Sequence, residues 1–157
     1  MKKIKAILLD DEPRGLSSLK KLIQINCEEV DIIGCFNSAA EASAKIIELQ
    51  PQLVFLDILM PEINGFELLR NLPRIEFEVI FVTAHDDYMT QAFQFSAVDY
   101  LLKPIDDEQL CEAIKRAGRR IEEKRGGQQA ETLLHNMQQK GSSQKMKLTI
   151  PSIKGFH

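Results

Sequence analysis

Asp10 and Asp11 stand side by side where the apolar run Ile4 to Leu9 ends. Asp57, Thr83 and Lys103 stand at the ends of three further runs, Leu-Val-Phe-Leu-Asp, Ile-Phe-Val-Thr-Ala and Tyr-Leu-Leu-Lys-Pro. Three carboxylates, a hydroxyl and an ammonium brought to one place can hold a divalent cation and a phosphoryl group. Adjacent carboxylates repel each other unless a cation or solvent screens them. Mg2+ prefers octahedral oxygen ligands and keeps several waters, so one or two carboxylates plus a phosphate oxygen suit it. Asp11 and Asp57 are the expected direct ligands, with Asp10 acting through water. The carbonyl of Leu59, in the loop past Asp57, is a further expected oxygen.

Asp57, exposed yet rigidly held at a strand end, is the expected nucleophile toward phosphorus. Thr83 offers a hydroxyl and Lys103 a positive charge to the phosphoryl oxygens. Pro104 permits a cis bond at modest cost, which would turn Lys103 sharply toward the site. Each residue also has an ordinary reading. A strand-end Asp starts the next loop, acids before Pro13 favour a helix start, threonine is common in strands, and lysine is common on surfaces. His85, two residues past Thr83, is read as a neutral bystander rather than a base.

These residues reach one place only if the intervening elements deliver them. Pro13 suits the first turn of a helix striped by Leu16, Leu19, Leu22 and Ile23. Val30 to Phe36 is β-rich. Ser38 and Glu41 have capping-box spacing before a helix carrying Ala39, Ala42, Ile46 and Leu49, and Pro51 closes it. Leu53 to Leu56 is almost wholly apolar, as in a strand buried on both faces. Turn residues follow Asp57, then a short helix with Phe66, Leu69 and Leu72 that Pro73 ends. Val79 to Val82 and Val98 to Leu102 are further strands. Asp86 and Asp87 favour the start of the helix between them. Asp106, Asp107 and Glu108 open a helix striped by Leu110, Ala113, Ile114, Ala117 and Ile121.

Strand and helix alternate five times, which predicts an α/β, doubly wound parallel sheet with helices on both faces. Right-handed crossovers put every carboxyl strand end on one edge, where such folds bind ligands.

The motifs Asp-Asp-Glu, Asp-Ile-Leu-Met-Pro-Glu-Ile-Asn-Gly, Val-Thr-Ala and Asp-Tyr-Leu-Leu-Lys-Pro together resemble a response-regulator receiver domain of a two-component system, from about Ile4 to Arg120. The resemblance implies a flavodoxin-like receiver fold with five strands in the order 2-1-3-4-5. It implies that Asp57 accepts a phosphoryl group from the phosphohistidine of a sensor histidine kinase. Asp10, Asp11, Asp57 and the Leu59 backbone would bind Mg2+, and Thr83 and Lys103 would contact the phosphoryl group. Thr83 and Tyr100 match the family's switch positions. Thr83 would move toward the phosphoryl group and Tyr100 inward behind it. The surface of the fourth helix, fifth strand and fifth helix would be remodelled, with homodimerisation as the result.

The chain has 157 residues, enough for one cored domain and an appendage. Its net charge of −3 points to neither nucleic acid nor an anionic membrane. Cys27, Cys35 and Cys111 are odd in number and form no CxxC pair, so small buried thiols in a reducing cytosol are expected. The first apolar run is too short for a signal core or a membrane span, and a cytoplasmic location is expected.

We read residues 1–123 as the receiver, 124–145 as a partly helical linker that Gly126-Gly127 interrupts, and 146–157 as the truncated start of another domain. Lys145 to Ile150 alternates like a half-buried strand. Lys-Leu-Thr-Ile-Pro-Ser-Ile-Lys-Gly-Phe resembles the opening of a LytTR-type DNA-binding domain. DNA would then be contacted only through the missing remainder.

Three other readings compete. A haloacid-dehalogenase-like enzyme would place a second Asp two residues past the nucleophile, where this chain has Leu59. A flavin-binding module would want a Ser/Thr/Gly-rich loop where this chain has Asp-Asp-Glu-Pro. A docking module without phosphorylation fits poorly with a complete site. The resemblance therefore implies a switch, not an enzyme beyond self-phosphorylation and slow self-dephosphorylation.

Overall fold

Five short apolar runs become the five strands of one sheet. The computed structural model describes residues 2–140. The strands are β1 (Ile4–Leu9), β2 (Val30–Phe36), β3 (Leu53–Leu56), β4 (Glu78–Thr83) and β5 (Asp99–Leu102). Every neighbouring pair is parallel, and the order is β2-β1-β3-β4-β5. The helices are α1 (Pro13–Asn26), α2 (Ala39–Leu49), α3 (Gly65–Asn71), α4 (Met89–Gln94) and α5 (Asp107–Lys140).

Successive side chains of a strand point to opposite faces. Ile7 and Leu9 therefore pack with Ala42 and Ile46 of α2, Phe66 and Leu69 of α3 and Ala92 of α4. Ala6 and Leu8 pack with Leu19 and Ile23 of α1 and with Leu110, Ala113, Ile114 and Ala117 of α5. Phe55, Phe66 and Phe81 are fully buried. Burying each such ring stabilises the fold by about 1.5–3 kcal/mol.

Local signals set the helix ends. Pro13 stands at the start of α1, where its missing N–H would lack a helical partner anyway. The Ser38 hydroxyl accepts from the Glu41 N–H at 3.4 Å and caps α2. A reciprocal capping box that the sequence reading passed over starts α3. The Asn64 side chain accepts from the Glu67 N–H, and the Glu67 side chain accepts from the Asn64 N–H.

Two expectations are corrected. Asp86 and Asp87 do not open α4. That helix begins at Met89 with Tyr88 as its N-cap and no acid in its first turn. The two acids sit in the preceding turn because side chains of β4 and β5 tie down the backbone of His85 just before them. Nor do Gly126 and Gly127 interrupt the last helix, which runs through both to Lys140. A helical glycine costs only about 1 kcal/mol relative to alanine, and the charged and glutamine residues flanking this pair are good helix formers.

The chain divides into two units, Met1–Gly118 and Arg119–His157. The first contains the whole sheet. Over its described residues the second is helical as far as Lys140. The expected strand from Lys145 to Ile150, and the domain it was read as opening, lie outside the described residues. Among those residues, no helix is long and apolar enough to cross a membrane.

Candidate functional site

Sheet register assembles the site. Leu9 pairs with Leu56, so the next residues, Asp10 and Asp57, leave the sheet side by side. The Asp57 N–H donates to the Leu9 carbonyl at 3.1 Å, fixing the first step past β3. Thr83 pairs with Leu102, and the Lys103 N–H donates to the Thr83 carbonyl at 2.9 Å. The Lys103–Pro104 bond is cis.

Asp10, Asp11 and Asp57 can each present a carboxylate oxygen within 4.8 Å of the others. The Lys103 ammonium lies 2.7 Å from Asp10 Oδ2 and 3.4 Å from Asp57 Oδ2. Asp10 Oδ1 accepts from the Glu12 N–H at 2.9 Å, and Asp57 Oδ1 from the Ile58 N–H at 2.7 Å. The sequence reading took Asp57 as exposed. In the structure it is only 6% exposed, and Asp10 only 4%. Both sit in a crevice at the edge of the sheet rather than on an open loop.

Burial pushes the Asp57 carboxyl above the usual aspartate range, and the charge of Asp10 adds to this. Lys103 and the Ile58 N–H oppose the shift without cancelling it. Burial pulls the Lys103 ammonium down, but its hydrogen bond to Asp10 and the charge of Asp57 outweigh this and leave it raised. The site thus stores negative charge that one ammonium only partly balances. Three clustered carboxylates are hard oxygen donors, the ligand class that Mg2+ takes, so the residues present fit that ion.

Thr83 is fully buried, and its hydroxyl accepts from the His85 N–H at 3.3 Å. Tyr100 is buried, packs its ring 6.5 Å from that of Phe81, and donates its hydroxyl to the His85 carbonyl. One peptide segment therefore joins the two expected switch residues. The His85 side chain itself is exposed. Leu59 stands two residues past Asp57 with 39% of its surface exposed.

The sequence reading missed two glycines. A Cβ on Gly15 would lie 2.5 Å from Asp10 Oδ2 and 3.2 Å from Lys103 Nζ. A Cβ on Gly65 would lie 2.6 Å from the Asp57 carbonyl oxygen, and the Gly65 N–H donates to the Ile58 carbonyl at 2.7 Å. Gly65 belongs to a run already read as a turn. Gly15 left only the faint signal of a glycine inside a helical pattern.

Comparison with known proteins gives a consistent picture. Residues 6–115 match the family described as response regulator receiver domain. An uncharacterized response regulatory protein of Vibrio cholerae is 45% identical over 114 residues, which is 72% of this chain and 48% of that protein. The sensory transduction protein LytT of Bacillus cereus is 36% identical over 115 residues, 72% of this chain and 46% of that protein. The transcriptional regulatory protein BtsR of Escherichia coli is 35% identical over 136 residues, 86% of this chain and 55% of that protein. The chain spans about half the length of these curated relatives.

Among solved structures, the response regulatory domain of mrkE from Klebsiella pneumoniae matches with TM-score 0.69 and 25% identity. That match covers 76% of this chain and 98% of that one. The response regulator domain of Thermotoga maritima CheB matches with TM-score 0.65 and 26% identity, over 77% and 98%.

Proposed function

The chain belongs to the response regulator receiver domain family, and from that premise we propose that Asp57 is the phosphoacceptor of its phosphorylation-dependent signalling. The observation that carries this reading is the placement of the Asp57 carboxylate. It is buried at a strand end, 3.4 Å from the Lys103 ammonium and within a triad of acids. The donor is the phosphohistidine of a sensor kinase. An Asp57 oxygen attacks phosphorus, a P–O bond forms, the P–N bond breaks, and its electron pair returns to the imidazole.

Lys103 stabilises the charge on the transferring oxygens. Asp10, Asp11, Asp57 and the Leu59 carbonyl would hold Mg2+, which when bound supplies further neutralisation of those oxygens. The Thr83 hydroxyl turns from His85 toward the new phosphoryl oxygens. Tyr100 responds through the same peptide segment.

The output is a change of the surface formed by α4, β5 and α5, and a second copy of the chain is the partner. Exposed Met89, Phe93 and Leu102 on α4 and β5 supply apolar area for that contact. In an intact protein the response would pass to a DNA-binding domain of LytTR type, acting on transcription in the cytoplasm. The similarity to BtsR, a transcriptional regulatory protein, supports a role in transcription, and that to LytT, a sensory transduction protein, a role in signalling.

The test is mass spectrometry after treatment with acetyl phosphate and Mg2+. Wild type should gain one phosphoryl group and Asp57→Asn none. Labelling that survives the substitution would sink the assignment.

A further inference from the structure

The carboxyl end of α1 and the start of α5 meet at two sulfurs. Sγ of Cys27 lies 3.6 Å from Sγ of Cys111, although the residues are 84 apart in sequence. Cys111 Sγ also lies 3.7 Å from the carbonyl oxygen of Asn26. Cys27 is the C-cap of α1 and is 1% exposed, whereas Cys111 is half-buried. The backbone holds Cys27 in place. Its N–H donates to the Ile23 carbonyl at 2.8 Å and its carbonyl accepts from the Val30 N–H at 3.3 Å.

We propose that Cys27 and Cys111 form an oxidisable dithiol, which a hydroperoxide closes into a disulfide joining α1 to α5. Closing the gap from 3.6 Å to a bond of about 2.05 Å needs side-chain rotation and a small backbone adjustment. Cys111, the more exposed thiol, meets the oxidant. Its thiol gives its proton to solvent and the thiolate sulfur attacks the peroxide. An S–O bond forms, the O–O bond breaks, and the alkoxide or hydroxide takes a proton back from solvent and leaves as alcohol or water. The Cys27 sulfur then attacks the Cys111 sulfenic acid. The S–S bond forms, the S–O bond breaks, and hydroxide leaves with the Cys27 proton as water. Each sulfur gives up one electron, and the peroxide takes both.

Burial, with the Cys111 thiol beside it, pushes the Cys27 thiol up to about 12. Cys27 therefore holds its proton at neutral pH, and the second step quickens as pH rises. In a reducing compartment the bond is transient, as intracellular disulfides outside hyperthermophiles generally are.

The test uses the full, reduced chain exposed to hydrogen peroxide, alkylated while unfolded, and digested. The expected product is a peptide pair joining Cys27 to Cys111, reversed by dithiothreitol, with Cys35 alkylated. In Cys27→Ser, dimedone should trap a sulfenic acid on Cys111; Cys27→Ala serves if that variant does not fold. Melting gives an independent readout. The oxidised wild type should melt higher than the reduced protein, by on the order of 10 °C, with no gain in Cys111→Ser. A disulfide to Cys35 or between chains would overturn the proposal. So would Cys111 oxidised to the sulfinate beside an alkylatable Cys27, or an oxidised protein that melts no higher than the reduced one.

Discussion

Lys103 and Asp10 face each other at 2.7 Å, closer than the 3.4 Å between Lys103 and Asp57. The ammonium therefore leans toward Asp10, proposed to serve the cation alone, rather than toward Asp57, proposed to carry the phosphoryl group as well. On that proposal Lys103 and a divalent ion would compete for the Asp10 carboxylate.

Lys103→Met should separate the two tasks. Removing a positive charge about 4 Å from a doubly charged ion relieves roughly 2 kcal/mol even in a water-like dielectric. Mg2+ affinity should rise about thirtyfold by titration calorimetry, while phosphoryl uptake from acetyl phosphate falls more than tenfold. An affinity that stays level would show that the ammonium and the ion do not compete.

Asp57→Asn should stabilise the protein at neutral pH when a chelator is present. Burial raises the Asp57 carboxyl in the folded state, so the fold binds that proton more tightly than the unfolded chain does. The ionised form then weakens the fold at any pH above the folded value. This penalty fades as pH falls and is gone below the unfolded value of 3.8. Urea melts should show the variant ahead at neutral pH, with the gap narrowing in acid. A gap that widens in acid would reverse the sign.

Two helical glycines should respond oppositely to alanine. A Cβ on Gly118 meets only Ile4 Cδ1, at an ordinary 3.5 Å, so Gly118→Ala should gain about 1 kcal/mol. A Cβ on Gly15 meets Asp10 Oδ2 at 2.5 Å. Gly15→Ala should therefore lose that gain and also weaken Mg2+ binding severalfold, because Asp10 must swing away from its place. Equal gains at the two positions would mean that Asp10 moves freely.

Tyr100→Phe removes the hydroxyl that donates to His85. It should cost about 1 kcal/mol in denaturant melts and leave phosphoryl uptake at Asp57 intact. Association in beryllofluoride and Mg2+, followed by light scattering, should weaken. A variant that dimerises as wild type does would break the proposed route from Thr83 to the surface.

Much of the fold is legible because strands buried on both faces leave little choice of residue. Leu53 to Leu56 can hardly be anything but interior, and Pro13 marks the first helix start. Asp86 and Asp87 misled because acids favour both a turn and a first helical turn, and only the tie at His85 decides between them. Gly126-Gly127 looked like a break because local cost was counted without the length of helix on either side. The polar cluster was legible as residue types at strand ends, but its packing was not. Gly15 matters because the Asp10 carboxylate lies against it, with Lys103, distant in sequence, beside them both. The Cys27–Cys111 contact likewise joins segments whose sequences say nothing of each other.

The link from Thr83 to Tyr100 runs through the main chain of His85, and this has a consequence for mutagenesis. Alanine scanning leaves every peptide group in place, so replacing the imidazole removes neither bond. Position 85 can therefore vary its side chain while the two bonds to its main chain persist. At position 85 itself only backbone chemistry reaches these bonds: an ester in place of the residue 85 amide deletes the donor to Thr83 and spares the imidazole.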